Sequence, residues 1–229
     1  MYGFERRFMT SFAIKLIAAV TMFVDHMGLI LFPQYKIFRI IGRLAFPLYA
    51  YCIAEGFRYT GSRKRYFLRV FILGLLCQVV YTIVERDIYL GILLTFSLSI
   101  LLMTVQERFL SEWKNGKYVW GAAYLLSVIA VFLLTRIVTV DYGFFGIMLP
   151  VVTALFPDKP RRITAFAICL SVLSLDAVYH GSSTQFYSLF ALIPLLLYNG
   201  KQGKYKLKYF FYIFYPAHLV LLYAIDFLV

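Results

Sequence analysis

The sequence has 229 residues, 62% of them hydrophobic and only 15% charged, with a mean hydropathy of +0.79. A typical soluble domain carries roughly 25% charged residues, so an ordinary globular domain is excluded. The net charge of +12 does not mark a nucleic-acid binder, because the basic residues fall in short connections between apolar runs.

Nine apolar segments follow one another at 11–32, 39–60, 66–84, 90–106, 117–137, 142–157, 162–180, 184–199 and 208–227. A membrane-spanning helix needs about 20 apolar residues. The expected fold is therefore all-α: a polytopic integral membrane bundle of about nine transmembrane helices, in a single domain over residues 1–229. A transmembrane β-barrel would show alternating segments of ~10 residues, and these runs do not alternate. Segments 142–157 and 184–199 are short for a full span and suit half-buried or shielded helices. Pro47, Pro150, Pro194 and Pro216 interrupt helices, and such breaks are tolerated where protein lines a cavity. The first run is of full membrane length and lacks a small-residue cleavage site, so no cleavable signal peptide is expected. Cys52, Cys77 and Cys169 lie inside apolar runs with no metal or disulfide spacing.

Lysine and arginine set the orientation. One set of flanks holds Arg6, Arg7, Lys15, Arg58, Arg63, Lys64, Arg65, Arg69, Arg108, Lys114, Lys117, Lys159, Arg161, Arg162, Lys201, Lys204, Lys206 and Lys208. The opposite flanks hold Lys36, Arg39, Arg86 and Arg136 alone, and Arg43 lies within a helix. Eighteen against four, in alternation, predicts an inner N-terminus and an outer C-terminus. Asp25, His26, Arg39, Arg43, Gln78, Arg136, Asp141, Tyr142, Asp176, His180, Gln185 and His218 then all fall in the outer half.

Ionisable groups at such depth are costly and mark functional sites by default. Asp25 and His26 are neighbours, so on a helix they point about 100° apart and each needs a partner on another helix. His26 is either a general base, since histidine titrates near neutrality, or an interfacial residue capping the helix against headgroups. Arg39 and Arg43 share a helix face and repel unless an anion lies between them. Asp25, Asp141 or a substrate carboxylate or phosphate could serve. His218 follows Tyr215-Pro216-Ala217, where a proline disturbance would let it face a cavity. The inner basic clusters, Arg63-Lys64-Arg65 and the lysines from Lys201 onward, follow from positive-inside bias or dock a polyanionic cytosolic molecule. No phosphate loop, zinc spacing or nucleophilic-serine signature is present.

Several stretches resemble the TraX family. They are Phe23-Val24-Asp25-His26-Met27-Gly28, Arg39 through Ala50, Glu55-Gly56-Phe57-Arg58-Tyr59-Thr60, Asp141-Tyr142-Gly143, Leu197-Tyr198-Asn199-Gly200 and Phe211 through Leu219. The family's named member acetylates the N-terminus of a conjugative pilin, and the family resembles the wider transmembrane acyltransferases. Lys15 to His26 is similar to their first helix ending in a catalytic histidine, and Phe46 to Phe57 to the Phe-rich helix that follows. The resemblance implies a bacterial inner-membrane enzyme with cytosolic acetyl-CoA as donor substrate. The acceptor would be a protein N-terminus, a saccharide or a small amine at or near the outer face, with membrane lipid around it. On this expectation His26 deprotonates the acceptor, Arg43 steadies the oxyanion or an anionic partner, Asp25 or Asp141 holds Arg43, and His218 is the second candidate base. Arg58, Arg63, Lys64, Arg65, Lys201 and Lys204 would take the CoA phosphates. Arg39, Asp141, Tyr142, His180 and Gln185 would meet the acceptor. The competing class is a secondary transporter or flippase built on the same broken helices and midplane charges.

Overall fold

The computed structural model describes residues 9–85, 89–204 and 208–228. Arg6, Arg7, Arg86 and Lys206 of the basic flanks lie outside the described residues, as does the side chain of Lys208. The described residues are helical with no strand. The elements are α1 (Ser11–Ile30), α2 (Lys36–Gly42), α3 (Ala45–Tyr59), α4 (Arg63–Glu85), α5 (Ile92–Trp113), α6 (Val119–Ile137), α7 (Gly143–Ala154) and α8 (Lys159–Tyr179). A 3-10 helix (Ser183–Ala191), α9 (Leu192–Leu197) and α10 (Lys208–Leu228) complete the chain.

Among the described residues, six stretches are long and apolar enough to cross a membrane: Ser11–Ile30, Lys36–Tyr59, Arg63–Ile83, Ile92–Trp113, Val119–Ile137 and Lys159–Tyr179. Gly143–Ala154, Ser183–Leu197 and Ile213–Leu228 are shorter apolar helices. Helix α6 has no buried residue, and Leu125, Leu126, Ile129 and Leu133 stand exposed along it. A contiguous apolar face of that extent is an aggregation liability in water and is at home in lipid. This is a multi-pass membrane protein.

The chain forms two compact units, Met1–Cys52 with Leu170–Val229, and Ile53–Cys169. The divisions fall inside α3 and α8. In the first unit α1 packs on α2 and on α10, and α2 packs on the 3-10 helix. Thr10 caps α1 by accepting from the Ala13 N–H at 3.3 Å. The next free donors, Ser11 N–H and Phe12 N–H, reach the carbonyls of Lys201 (2.9 Å) and Gln202 (3.2 Å), so the orphan amides of a helix start are satisfied by a distant loop. Ile14, Ala18 and Met22 recur on one buried face of α1, the spacing of a single helical stripe. Gly28 lets α1 and α2 close up, since a Cβ there would overlap Phe38.

One long span is broken for an identifiable reason. Pro47 has no N–H to give the carbonyl four residues back, and its ring clashes with that carbonyl. The residue four back is Arg43, and the helix interrupts at Arg43 and Leu44. The break turns the sequence segment 39–60 into α2 and α3 and fixes where Arg43 sits.

In the second unit α5 is central, packed by α4, α6 and α7. Ser99 Oγ donates to the Ile147 carbonyl across α5 and α7 at 2.8 Å. Helix α5 runs on to Trp113, past the end expected near residue 106. Its last turns carry paired charges that let it continue, with Arg63 on Glu107 at 2.7 Å, Arg108 on Glu112 at 3.3 Å and Lys117 on Glu112 at 3.0 Å.

Candidate functional site

The first unit holds a charged cluster where α1, α2 and the 3-10 helix meet. Asp25 Oδ2 accepts from Arg39 Nη1 at 2.6 Å, and its Oδ1 lies 3.7 Å from Arg43 Nη2. The Asp25 and Arg43 side chains are only 16% and 12% exposed, so two guanidinium groups and one carboxylate share a largely desolvated place. The i, i+4 arginines are reconciled by the acid of the opposite helix, as their repulsion requires. Gly42 makes room for this, since a Cβ there would overlap the Asp25 carboxylate. Arg43 also donates through Nη1 to Gln185 Oε1 at 3.3 Å. Gln185 is 2% exposed, and among the described residues its Nε2 has no hydrogen-bond partner. The Ser174 hydroxyl donates to the Gln185 carbonyl at 3.3 Å and lies 3.3 Å from the Ser188 hydroxyl, fixing the backbone beneath.

One residue on, His26 turns to a different partner. Its Nδ1 lies 3.0 Å from the Met22 carbonyl and 3.1 Å from His218 Nε2 on α10. The His218 Nδ1 in turn lies 2.9 Å from the Phe214 carbonyl. His218 is 3% exposed, with Phe214 stacked on its ring at 5.2 Å and Tyr215 and Phe23 set edge-on at 5.6 and 6.4 Å. His26, of intermediate burial, is the less buried residue of the pair. Asp25 and His26 thus take separate partners, one from α2 and one from α10.

Other residues singled out in the sequence go elsewhere. His180 is exposed at the end of α8, 3.8 Å from Asp176, and is not brought to the pair. Asp141 belongs to the second unit, where its Oδ1 accepts from the Tyr89 hydroxyl at 2.6 Å and its carbonyl accepts from Thr95 at 3.1 Å. Burial, and then Asp141, push the Tyr89 hydroxyl well above its ordinary range, so this bond does not ionise away in mild alkali. Tyr142 adopts a left-handed φ of 58° just before α7, an uncommon conformation for a side chain of that size. Arg63 is held by Glu107 and lies over the Phe57 ring at 4.2 Å. Arg58 lies 3.7 Å from Glu55, and Lys64, Arg65, Lys201 and Lys204 are exposed.

The sequence reading missed two features. Gln185 was legible as a candidate site residue, but its bond to Arg43, 142 positions away, was not. Arg162 counted as one of the inner loop charges, yet it is 7% exposed and paired with Glu55, itself 7% exposed. Removing one partner of a buried pair costs about 3–5 kcal/mol because the other charge is left alone. Arg58 beside Glu55 softens that, so Arg162→Ala is expected to lose about 3 kcal/mol, read as an earlier thermal transition in detergent. A Glu55→Leu/Arg162→Leu double variant is expected to recover most of it.

The family model described as TraX protein matches residues 11–226, a range that takes in the whole charged cluster and both histidines. The chain belongs to the TraX family. The probable fimbrial assembly protein FimC, serogroup H1, of Dichelobacter nodosus is 25% identical over 240 residues, covering 93% of this chain and 94% of that protein. An uncharacterised protein of Rickettsia prowazekii (strain Madrid E) is 35% identical over 74 residues, covering 32% of this chain and 28% of its own. No solved structure matches.

Proposed function

We propose that this TraX-family protein is a membrane-embedded acetyltransferase that moves an acetyl group from acetyl-CoA to an amine or hydroxyl on a molecule of the cell surface. The observation that carries the reading is the His26–His218 pair set beside the Asp25–Arg39–Arg43 cluster at one end of α1. A neutral imidazole at a half-buried position is the usual means of taking a proton from an attacking amine or hydroxyl near neutral pH. The fimbrial-assembly name of the relative makes a pilin or another surface subunit a natural acceptor.

The acceptor N–H or O–H attacks the thioester carbonyl as its proton passes to His26. The new C–N or C–O bond forms, the C–S bond breaks, and His26 returns the proton to the departing thiolate. Negative charge gathers on the carbonyl oxygen during the attack, and Arg43 with the unengaged Gln185 Nε2 supplies donors for it. Asp25 fixes Arg43 and removes one of the two positive charges. The CoA phosphates are taken by the exposed Lys201 and Lys204 at the far end of α1. His26 stands about 24 Å from Thr10 along the axis of α1, at 1.5 Å per residue, so phosphates and thioester occupy different depths. In the membrane the protein crosses nine times with its N-terminus inside, the short α7, the 3-10 helix with α9, and α10 completing the spans.

Inverted inner-membrane vesicles given radiolabelled acetyl-CoA test this. Wild-type vesicles are expected to place label on envelope protein, glycan or amine, and His26→Ala vesicles are not. Labelling equal to that of vesicles lacking the protein would overturn the assignment.

A further inference from the structure

The two histidines are not equivalent, and the backbone decides which is which. A carbonyl oxygen only accepts, so a ring nitrogen facing one at hydrogen-bond distance carries the hydrogen. The His218 Nδ1 faces the Phe214 carbonyl at 2.9 Å and donates to it. The His26 Nδ1 faces the Met22 carbonyl at 3.0 Å and is a donor too. That same His26 Nδ1 lies 3.1 Å from His218 Nε2. Two N–H groups cannot point at one another, so His218 Nε2 is the bare nitrogen, and the one hydrogen on His26 Nδ1 is shared between it and the Met22 carbonyl in a three-centre bond. The only ring nitrogen of the pair left uncommitted is His26 Nε2.

We infer that His218 is a positioning residue that accepts from His26 Nδ1–H, leaving His26 Nε2 as the one ring nitrogen of the pair able to take a proton. This rests on the proposed function for its chemistry and on the geometry alone for its hydrogen bonds. When Nε2 takes the acceptor's proton, the charged ring donates to His218 more strongly than before, because hydrogen bonds to an ionised group are about twice as strong as neutral ones. His218 thereby fills the place a carboxylate fills in a hydrolytic triad, fixing the tautomer and sharing the charge. It does so as a neutral acceptor, with no net charge buried at rest. The aromatic surround of Phe23, Phe214 and Tyr215 holds the ring so that Nε2 cannot turn away. The second helix-interior histidine thereby acquires a role different from the first: it cannot serve as the base without breaking its bond to Phe214 or to His26.

Two measurements test this on the full-length protein in nanodiscs. The first is nitrogen NMR with labelled histidine, assigned with His26→Gln and His218→Gln, and exposed His180 as internal reference. The expected spectrum has both Nδ1 atoms protonated, a hydrogen-bonded bare Nε2 on His218, and a free bare Nε2 on His26. A protonated Nε2 on His218 would overturn the inference whether or not the protein acetylates anything. The second is steady-state acetyl transfer. His218→Phe is expected to lower kcat about ten- to hundredfold, the worth of one hydrogen bond to a charged group, with KM for acetyl-CoA unchanged. In His218→Gln the amide oxygen can stand where Nε2 stood, and most of the rate is expected back. If His218 were the base, Gln and Phe would be equally inactive and His26→Gln would keep most of its rate. Absence of transfer in wild type would count against the proposed function while the spectrum still decides the hydrogen bonds.

Discussion

Replacing His26 by alanine is expected to lower acetyl transfer by about 10²- to 10⁴-fold, the usual contribution of a positioned general base. Acetyl-CoA affinity is expected to stay within a factor of two or so of wild type, because His26 stands at the opposite end of α1 from Lys201 and Lys204. The split matters more than the size of the loss. A ring that merely filled space would disturb α1 and α10 together, and binding, stability and rate would fall in step. A base loses rate alone. His26→Gln refines the test: it keeps a polar group of similar length near Met22 and His218 but has no nitrogen able to take a proton. It should be as slow as alanine while melting closer to wild type.

Gly42→Val is expected to be the most damaging single change to the cluster. Any side chain at residue 42 meets the Asp25 carboxylate, and Asp25 cannot retreat without leaving Arg39 and Arg43. Two guanidinium groups would then stay partly buried with no counter-charge, a loss of about 3–5 kcal/mol for breaking a buried pair. The acetylation rate should fall with stability, since Arg43 would no longer be held against Gln185. Gly61→Val is the matched control, because a Cβ there meets nothing within 4 Å. Thermal unfolding of both variants in detergent separates the effects: Gly61→Val close to wild type and Gly42→Val well below it. Equal melting of the two would mean that the Asp25 cluster carries little of the fold.

The helical, membrane-spanning character was legible because it depends on composition and run length, both local properties of the chain. The interruption of α2 and α3 was legible as well, from Pro47 alone, although its place four residues upstream follows from the backbone rule and not from the proline's own position. The demand that Asp25 and His26 find separate partners was also legible, since adjacent helical residues diverge. Which partners they find was not. His26 and His218 are 192 positions apart, and nothing local to either says that α1 and α10 are neighbours. Charge counting also has a physical blind spot, seen at Arg162 and Arg63. It treats every basic residue at a helix end as solvated, whereas these two are held by Glu55 and Glu107. His180 lies exposed at the end of α8 beside Asp176, a local pairing of i and i+4 that the sequence spacing already contains.

The most direct test of an acetyl-CoA-dependent enzyme is calorimetric binding of acetyl-CoA to the purified protein in nanodiscs, with CoA as competitor. Saturable binding that CoA displaces is expected. Neutralising Lys201 and Lys204 should weaken it, and His26→Ala should leave it unchanged. No binding at millimolar ligand would contradict the account and direct attention to transport through the same charged cluster.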